Sequence, residues 1–149
     1  MGASNLTPTV PVASRGFLLE KPTMKYLIQY SAIAAGGAVG AMARFLVASI
    51  CGRLFATDFP IGTMVINLSG SFFLGWFLTT IANRMIVSDT LKLAIATGFV
   101  GAYTTFSTYM FESASLLKTG ETEKAMTNLL GSMILGMLAV WAGMRLAAK

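Results

Sequence analysis

Four long apolar runs fill most of this chain, over about residues 26–50, 61–81, 91–117 and 125–146. A helix that crosses a bilayer needs about 20 mostly apolar residues, and each run supplies them. Short connections with turn or charge signals separate the runs: Gly52-Arg53 and Asp58-Phe59-Pro60, then Asn83-Arg84 with Ser88-Asp89, then Lys118-Thr119-Gly120-Glu121. Ser88 is expected to N-cap the third run, because a Ser hydroxyl accepts a free amide of the first turn. Glu121 and Glu123 suit the positive dipole end of the fourth. The pattern predicts an all-α membrane protein of four transmembrane helices, forming one membrane domain over residues 24–149. Residues 1–23 carry three of the four prolines and no sustained apolar run, and are expected to form a disordered tail. The stretch Gly16-Phe17-Leu18-Leu19 is too short for a signal-peptide core, and Met24-Lys25 offers an alternative start.

Composition agrees. Of the 149 residues 55% are hydrophobic and 11% charged, against about 25% charged in a soluble domain. So few charges cannot cover a water-facing surface. A soluble enzyme, a disordered regulator and a nucleic-acid binder are therefore excluded, and the lipid bilayer is the expected partner. There is no His, which removes His-based acid–base chemistry and most metal and haem sites. The single Cys51 permits no intrachain disulfide.

The net charge of +5 orients the helices rather than recruiting a polyanion. One side of the membrane would hold Arg15, Lys21, Lys25, Arg84, Lys92, Arg145 and Lys149, and the other Arg53, Lys118 and Lys124. Seven against three puts both termini in the cytoplasm. A chain starting at Met24 has five against three, or five against four if Arg44 is added. A difference that small permits insertion both ways, and hence an antiparallel homodimer of dual topology.

Polar groups at membrane depth are costly unless satisfied, so they mark packing or function. In the first run Gly36 and Gly40 form a small-xxx-small pair that lets another helix approach closely. Arg44 follows at helical spacing and reads as a structural anchor before a ligand contact. The second run holds Gly62-Thr63, Asn67, Ser69, Gly70 and Ser71. Ser and Thr can satisfy themselves on the backbone one turn earlier, but the Asn67 amide has two donors and two acceptors. Either it bonds another helix or it offers a donor to a passing anion; composition does not separate the two.

The third run reads Gly98-Phe99-Val100-Gly101-Ala102-Tyr103-Thr104-Thr105-Phe106-Ser107-Thr108-Tyr109. Gly and Thr are poor helix formers, and hydroxyls crowd its middle. The helix is expected to break there, freeing backbone dipoles at membrane depth. Such breaks are tolerated only inside protein or along a polar cavity, and unwound carbonyls and helix ends are recurrent ion sites. Phe106 and Tyr109 share a face if the geometry is locally helical. Glu112 is the one acid within a run; it is expected to line a vestibule, cap a network, carry a proton, or pair structurally near the membrane surface.

Three segments in this order resemble the Fluc (CrcB) family of fluoride channels: Gly36-Gly37-x-x-Gly40-Ala41-x-x-Arg44; Gly62-Thr63-x-x-x-Asn67-x-x-Gly70-Ser71-Phe72; and Gly98-x-x-Gly101-x-x-Thr104-Thr105-Phe106-Ser107-Thr108. The resemblance covers about residues 26–147. It implies an antiparallel homodimer in the bacterial cytoplasmic (inner) membrane, exporting fluoride passively through two narrow interface pathways. It implies a structural sodium ion on the two-fold axis, held by the backbone carbonyls of Gly101 and Thr104. Asn67, Phe106, Ser107, Thr108 and Ser132 fall on the family's fluoride pathway, and Glu112 on a carboxylate usual after the break. The second pore phenylalanine of the family is Tyr109 here, and an aromatic common one turn before Ser132 is Asn128.

The residue types suit that chemistry. Fluoride is small and strongly hydrated, so a pathway must replace its water with several donors. Asn67, Ser107, Thr108 and Ser132 offer neutral ones, and ring edges are electropositive. Conduction needs moderate, multiple sites, which a fixed Lys or Arg would defeat. The alternative is a proton-coupled transporter of the small multidrug-resistance type. That chemistry requires a membrane-embedded Glu in the first span, and this one has no acid, only Arg44. A topology reporter on the C-terminus, with and without residues 1–23, tests the charge argument. Signals from both sides of the membrane are expected for the short form, and a signal from one side alone contradicts dual insertion.

Overall fold

The computed structural model describes residues 24–84 and 87–149; the expected tail, residues 1–23, lies outside the described residues. All described regular structure is helical, in the order α1 (Met24–Leu54), α2 (Ile61–Arg84), α3 (Asp89–Lys92), a π-helical stretch (Leu93–Val100), α4 (Gly101–Tyr103), α5 (Phe106–Lys118) and α6 (Thr122–Ala147). Among the described residues three helices are long and apolar enough to cross a membrane: α1, residues Ile61–Ala82 of α2, and α6. The third apolar run does not form one helix. It is divided into an arm, residues 89–103, and the separate helix α5. Ser88 caps the arm as expected, its side chain accepting the Leu91 amide at 3.3 Å.

Two close helix pairs build the molecule. The arm lies along α1, and α2 lies along α6. Lipid supplies no hydrophobic drive between helices, so contact depends on backbones approaching closely, which requires small residues. On α1 a Cβ at Gly36 would strike the Ala94 carbonyl, and one at Gly40 the Phe99 carbonyl. From the other side, a Cβ at Gly98 would stand 2.6 Å from the Ile33 oxygen. The α1 glycines thus meet the π-helical stretch of the arm. A π-helix has poorer hydrogen-bond geometry than an α-helix and is rarely long; here it is pressed against the glycine stripe of α1. The second pair uses the same device. A Cβ at Gly75 would strike the Val140 carbonyl, and one at Gly143 the Phe72 carbonyl.

Few side chains are fully buried. Ile66 and Asn128 are the largest of them, and Phe45, Met42, Met133, Met137 and Trp141 are mostly exposed on the outer helix faces. That is the inverse of a water-soluble bundle and fits a lipid-facing surface. Between the two pairs, α5 leaves the arm and packs on α6, which carries the broken point of the chain to the face of α2.

Candidate functional site

The break is two residues wide. Thr104 (φ −75°, ψ 156°) and Thr105 (φ −148°, ψ 108°) are extended, with helix on both sides. It is narrower than the Gly101–Thr108 stretch whose composition suggested it, because α5 restarts at once. Thr105 is its N-cap: its hydroxyl accepts the Thr108 amide at 3.3 Å and donates to the Thr108 hydroxyl at 2.9 Å. A Thr cap supplies an acceptor that the missing turn cannot.

Asn67 on α2 holds the other side of the break. The Thr105 amide donates to Asn67 Oδ1 at 2.8 Å, and Asn67 Nδ2 donates to the Thr105 carbonyl at 3.2 Å. One amide side chain therefore replaces a turn of backbone bonding for a buried residue. Both interhelical bonding and an anion donor were open for Asn67 from its residue type; the observed bonds are interhelical, and one Nδ2 hydrogen remains beyond the one they use.

These two captures have a joint consequence. In an unbroken helix the Thr105 amide would bond the Gly101 carbonyl, and the Thr108 amide the Thr104 carbonyl. Asn67 takes the first amide and the Thr105 hydroxyl takes the second. The carbonyls of Gly101 and Thr104 are thereby left without their ladder donors. Gly101 is exposed on the single chain. A pair of neutral carbonyl oxygens is the donor type that replaces the hydration of an alkali cation.

Beside the break is a cavity of about 600 Å³ between α2, α5 and α6. Of the residues singled out from the sequence, Asn67, Thr104, Phe106, Tyr109 and Ser132 line it, together with Gly70, Ser71 and Thr105 and an apolar remainder that includes Leu74, Val100 and Met133. Among the described residues no charged side chain contributes to this wall. Phe106 and Tyr109 do share a face, their ring centroids 6.0 Å apart. The Tyr109 hydroxyl donates to the Leu129 carbonyl of α6 at 2.6 Å, so its one hydrogen is committed within the wall. Ser107 and Thr108 stand beside the cavity on the exposed face of α5 and do not line it. Phe106 is 73% exposed.

Glu112 and Arg44 lie elsewhere. Arg44 is half-buried on α1 and lines neither this cavity nor the next. Glu112 lines a second cavity of about 610 Å³ with Thr63, Asp58 and Glu121. Thr63 donates to Glu112 Oε1 at 2.9 Å, while Oε2 is buried with no hydrogen-bond partner. The residues that sequence reasoning passed over are Thr105 and Ser113. The signal for Thr105 was present, since a Thr directly ahead of a helical segment is an N-cap candidate. Ser113 carries no such local mark; its role depends on α6.

The comparisons bear on this geometry. The family model described as CrcB-like protein, Camphor Resistance (CrcB), matches residues 31–144. The chain is 44% identical over 118 residues to the fluoride-specific ion channel FluC of Maridesulfovibrio salexigens, covering 79% of this chain and 94% of that protein. It is 46% identical over 115 residues to FluC of Chlorobium phaeobacteroides, with 77% and 89% covered. It is 40% identical over 112 residues to FluC of Aquifex aeolicus, with 75% and 90% covered. A multi-pass membrane protein with a broken helix at its centre is thus defined by the fold, and the chain belongs to the CrcB family.

Replacing Asn67 by Ala removes both bonds to Thr105 and strands its buried amide, while the Thr105 carbonyl, as the N-cap of α5, keeps the first helical bond. A loss of about 2 kcal/mol is expected, roughly 1 kcal/mol for each hydrogen bond. The check is thermal unfolding in detergent followed by size-exclusion chromatography. Asn67→Asp keeps the acceptor for the Thr105 amide and is expected to lose less than Asn67→Ala.

Proposed function

We propose that two copies of this chain, inserted in opposite senses, form a fluoride-selective channel that lets the ion leave the bacterial cytoplasm passively across the inner membrane. The observation that carries the reading is the capture of the Thr105 backbone by Asn67. It opens the ladder at membrane depth beside a cavity of neutral donors and ring edges. The names of the relatives, fluoride-specific ion channels, point the same way.

The interrupted segment 89–118 serves as the fourth crossing, as two half-helices. Exposed polar groups cannot face hydrocarbon, yet Ser107, Thr108 and Gly101 are exposed on the single chain. An inverted second copy would cover them and enclose the pathway between subunits. The Gly101 and Thr104 carbonyls of both copies would then hold a sodium ion at the axis, the carbonyls freed by Asn67 and Thr105 being a fitting donor set. When bound, that ion supplies a fixed positive charge. The residues around it do the rest. Ser71, the second Asn67 amide hydrogen and, by exchange of its long bond to Asn128, Ser132 offer neutral donors, and the Phe106 edge completes the replacement of water. The absence of a cationic side chain from the wall keeps each contact weak enough to release the ion.

The proton-coupled alternative finds no support, because α1 carries no acid to exchange a proton. The test is passive efflux from liposomes holding only this chain, read with a fluoride electrode and with chloride as control. Phe106→Ile is expected to lose most fluoride efflux. Tyr109→Phe is expected to conduct, since its hydroxyl is committed to Leu129, and to lose about 1 kcal/mol of stability with that bond. An unchanged rate in Phe106→Ile would count against the assigned wall.

A further inference from the structure

A chain of directed hydrogen bonds links the α5–α6 contact to the cavity wall, and Asn128 is its centre. Asn128 is wholly buried, at 0% exposure. Its Nδ2 donates to the Ser113 hydroxyl at 2.9 Å, and its Oδ1 accepts from the Ser132 hydroxyl at 3.2 Å. The orientation of the amide follows from the bond beyond it. Ser113 donates its one hydroxyl hydrogen to the Tyr109 carbonyl at 2.8 Å, and a carbonyl only accepts. Ser113 must therefore accept from Asn128, which turns the NH₂ toward Ser113 and the oxygen toward Ser132.

Ser132, like Thr63 with Glu112, donates to a side chain where most bonded helix hydroxyls here donate to backbone. Within the helices Ser69, Thr80, Ser113 and Ser115 each donate to the backbone carbonyl one turn earlier, at 2.7 to 2.9 Å. That is the resting state of a hydroxyl on a membrane helix. Ser132 also reaches one turn back, but to a side chain and at a longer distance. Its hydroxyl is thus kept off the helix backbone, held loosely, and lines the 600 Å³ cavity.

We infer that Asn128 is a positioning residue for the anion pathway: anchored on Ser113, its Oδ1 holds the single Ser132 hydroxyl hydrogen in a long 3.2 Å bond, from which an anion in the cavity takes that hydrogen by exchange. This rests on the fluoride-channel reading above and adds a residue that does not itself line the cavity. Without Asn128, Ser132 donates to the backbone carbonyl one turn earlier, as Ser69 and Ser113 do at 2.7 and 2.8 Å, and an anion must break that shorter bond to take the hydrogen. Leucine at this position matches the volume of the amide and offers no acceptor.

The experiment measures initial fluoride efflux against internal fluoride concentration, in liposomes holding the full chain alone. It separates the half-saturating concentration from the limiting rate. Asn128→Leu is expected to raise the half-saturating concentration about fivefold, the factor that corresponds to one ordinary hydrogen bond. Ser132→Ala is expected to do the same. The double variant is expected to be no worse than either single one, because both act through one donor. A merely structural role lowers the limiting rate through lost protein and leaves the half-saturating concentration unmoved, which overturns the proposal. Equal effects of Asn128→Leu with and without Ser132 also overturn it. If Asn128→Leu does not fold, Asn128→Ala adds no bulk and is read against the same outcomes. Absence of fluoride flux in the unsubstituted chain would instead remove the channel reading itself.

Discussion

A backbone amide or carbonyl in hydrocarbon must have a partner, and the whole arrangement follows from how this chain meets that demand at one point. The ladder of the third apolar segment stops at Thr104 and Thr105. Asn67 satisfies the orphaned amide of Thr105 and adds a second bond to its carbonyl, and the Thr105 hydroxyl satisfies a free amide of the first turn of α5, that of Thr108. The cost of interruption is thereby moved onto two carbonyls, Gly101 and Thr104, which keep their lone pairs. A side chain from a different helix has been exchanged for a turn of backbone bonding, and the exchange leaves acceptors where a cation can use them.

The packing around that point is organised to hold it still. α1 and the arm meet through Gly36, Gly40 and Gly98, and α2 and α6 through Gly75 and Gly143. Each pair brings backbone against backbone, so neither leaves room for a helix to slide. Asn67 on α2 and Thr105 beyond the arm are set opposite each other by these two rigid pairs. The face of α5 with Phe106, Ser107 and Thr108 is left uncovered by the chain itself, the surface that the proposed second copy would cover.

Much of this was legible from residue order. Four apolar runs located the helices to within a few residues, since span length is set by bilayer thickness. The crowding of Gly and Thr around residue 104 located the break, because those residues hold helix poorly. What could not be read was which group holds the break open. Asn67 lies 38 positions from Thr105, and nothing local to either marks the pair. Gly75 and Gly143 were missed for the same reason: a lone glycine in an apolar run shows its purpose only beside the carbonyl it admits. Asn128 was visible as an unusual residue, but its direction of bonding depends on Ser113, one helix away.

The most direct measurement is a crystal structure of the dimer in lipid, grown with sodium, at a resolution that shows backbone carbonyls and ions. The account predicts the Thr105 amide on Asn67, and the Gly101 and Thr104 carbonyls of both copies converging on one ion at the two-fold axis. A continuous helix in which the Thr105 amide bonds Gly101, packed dry with no ion nearby, would contradict it.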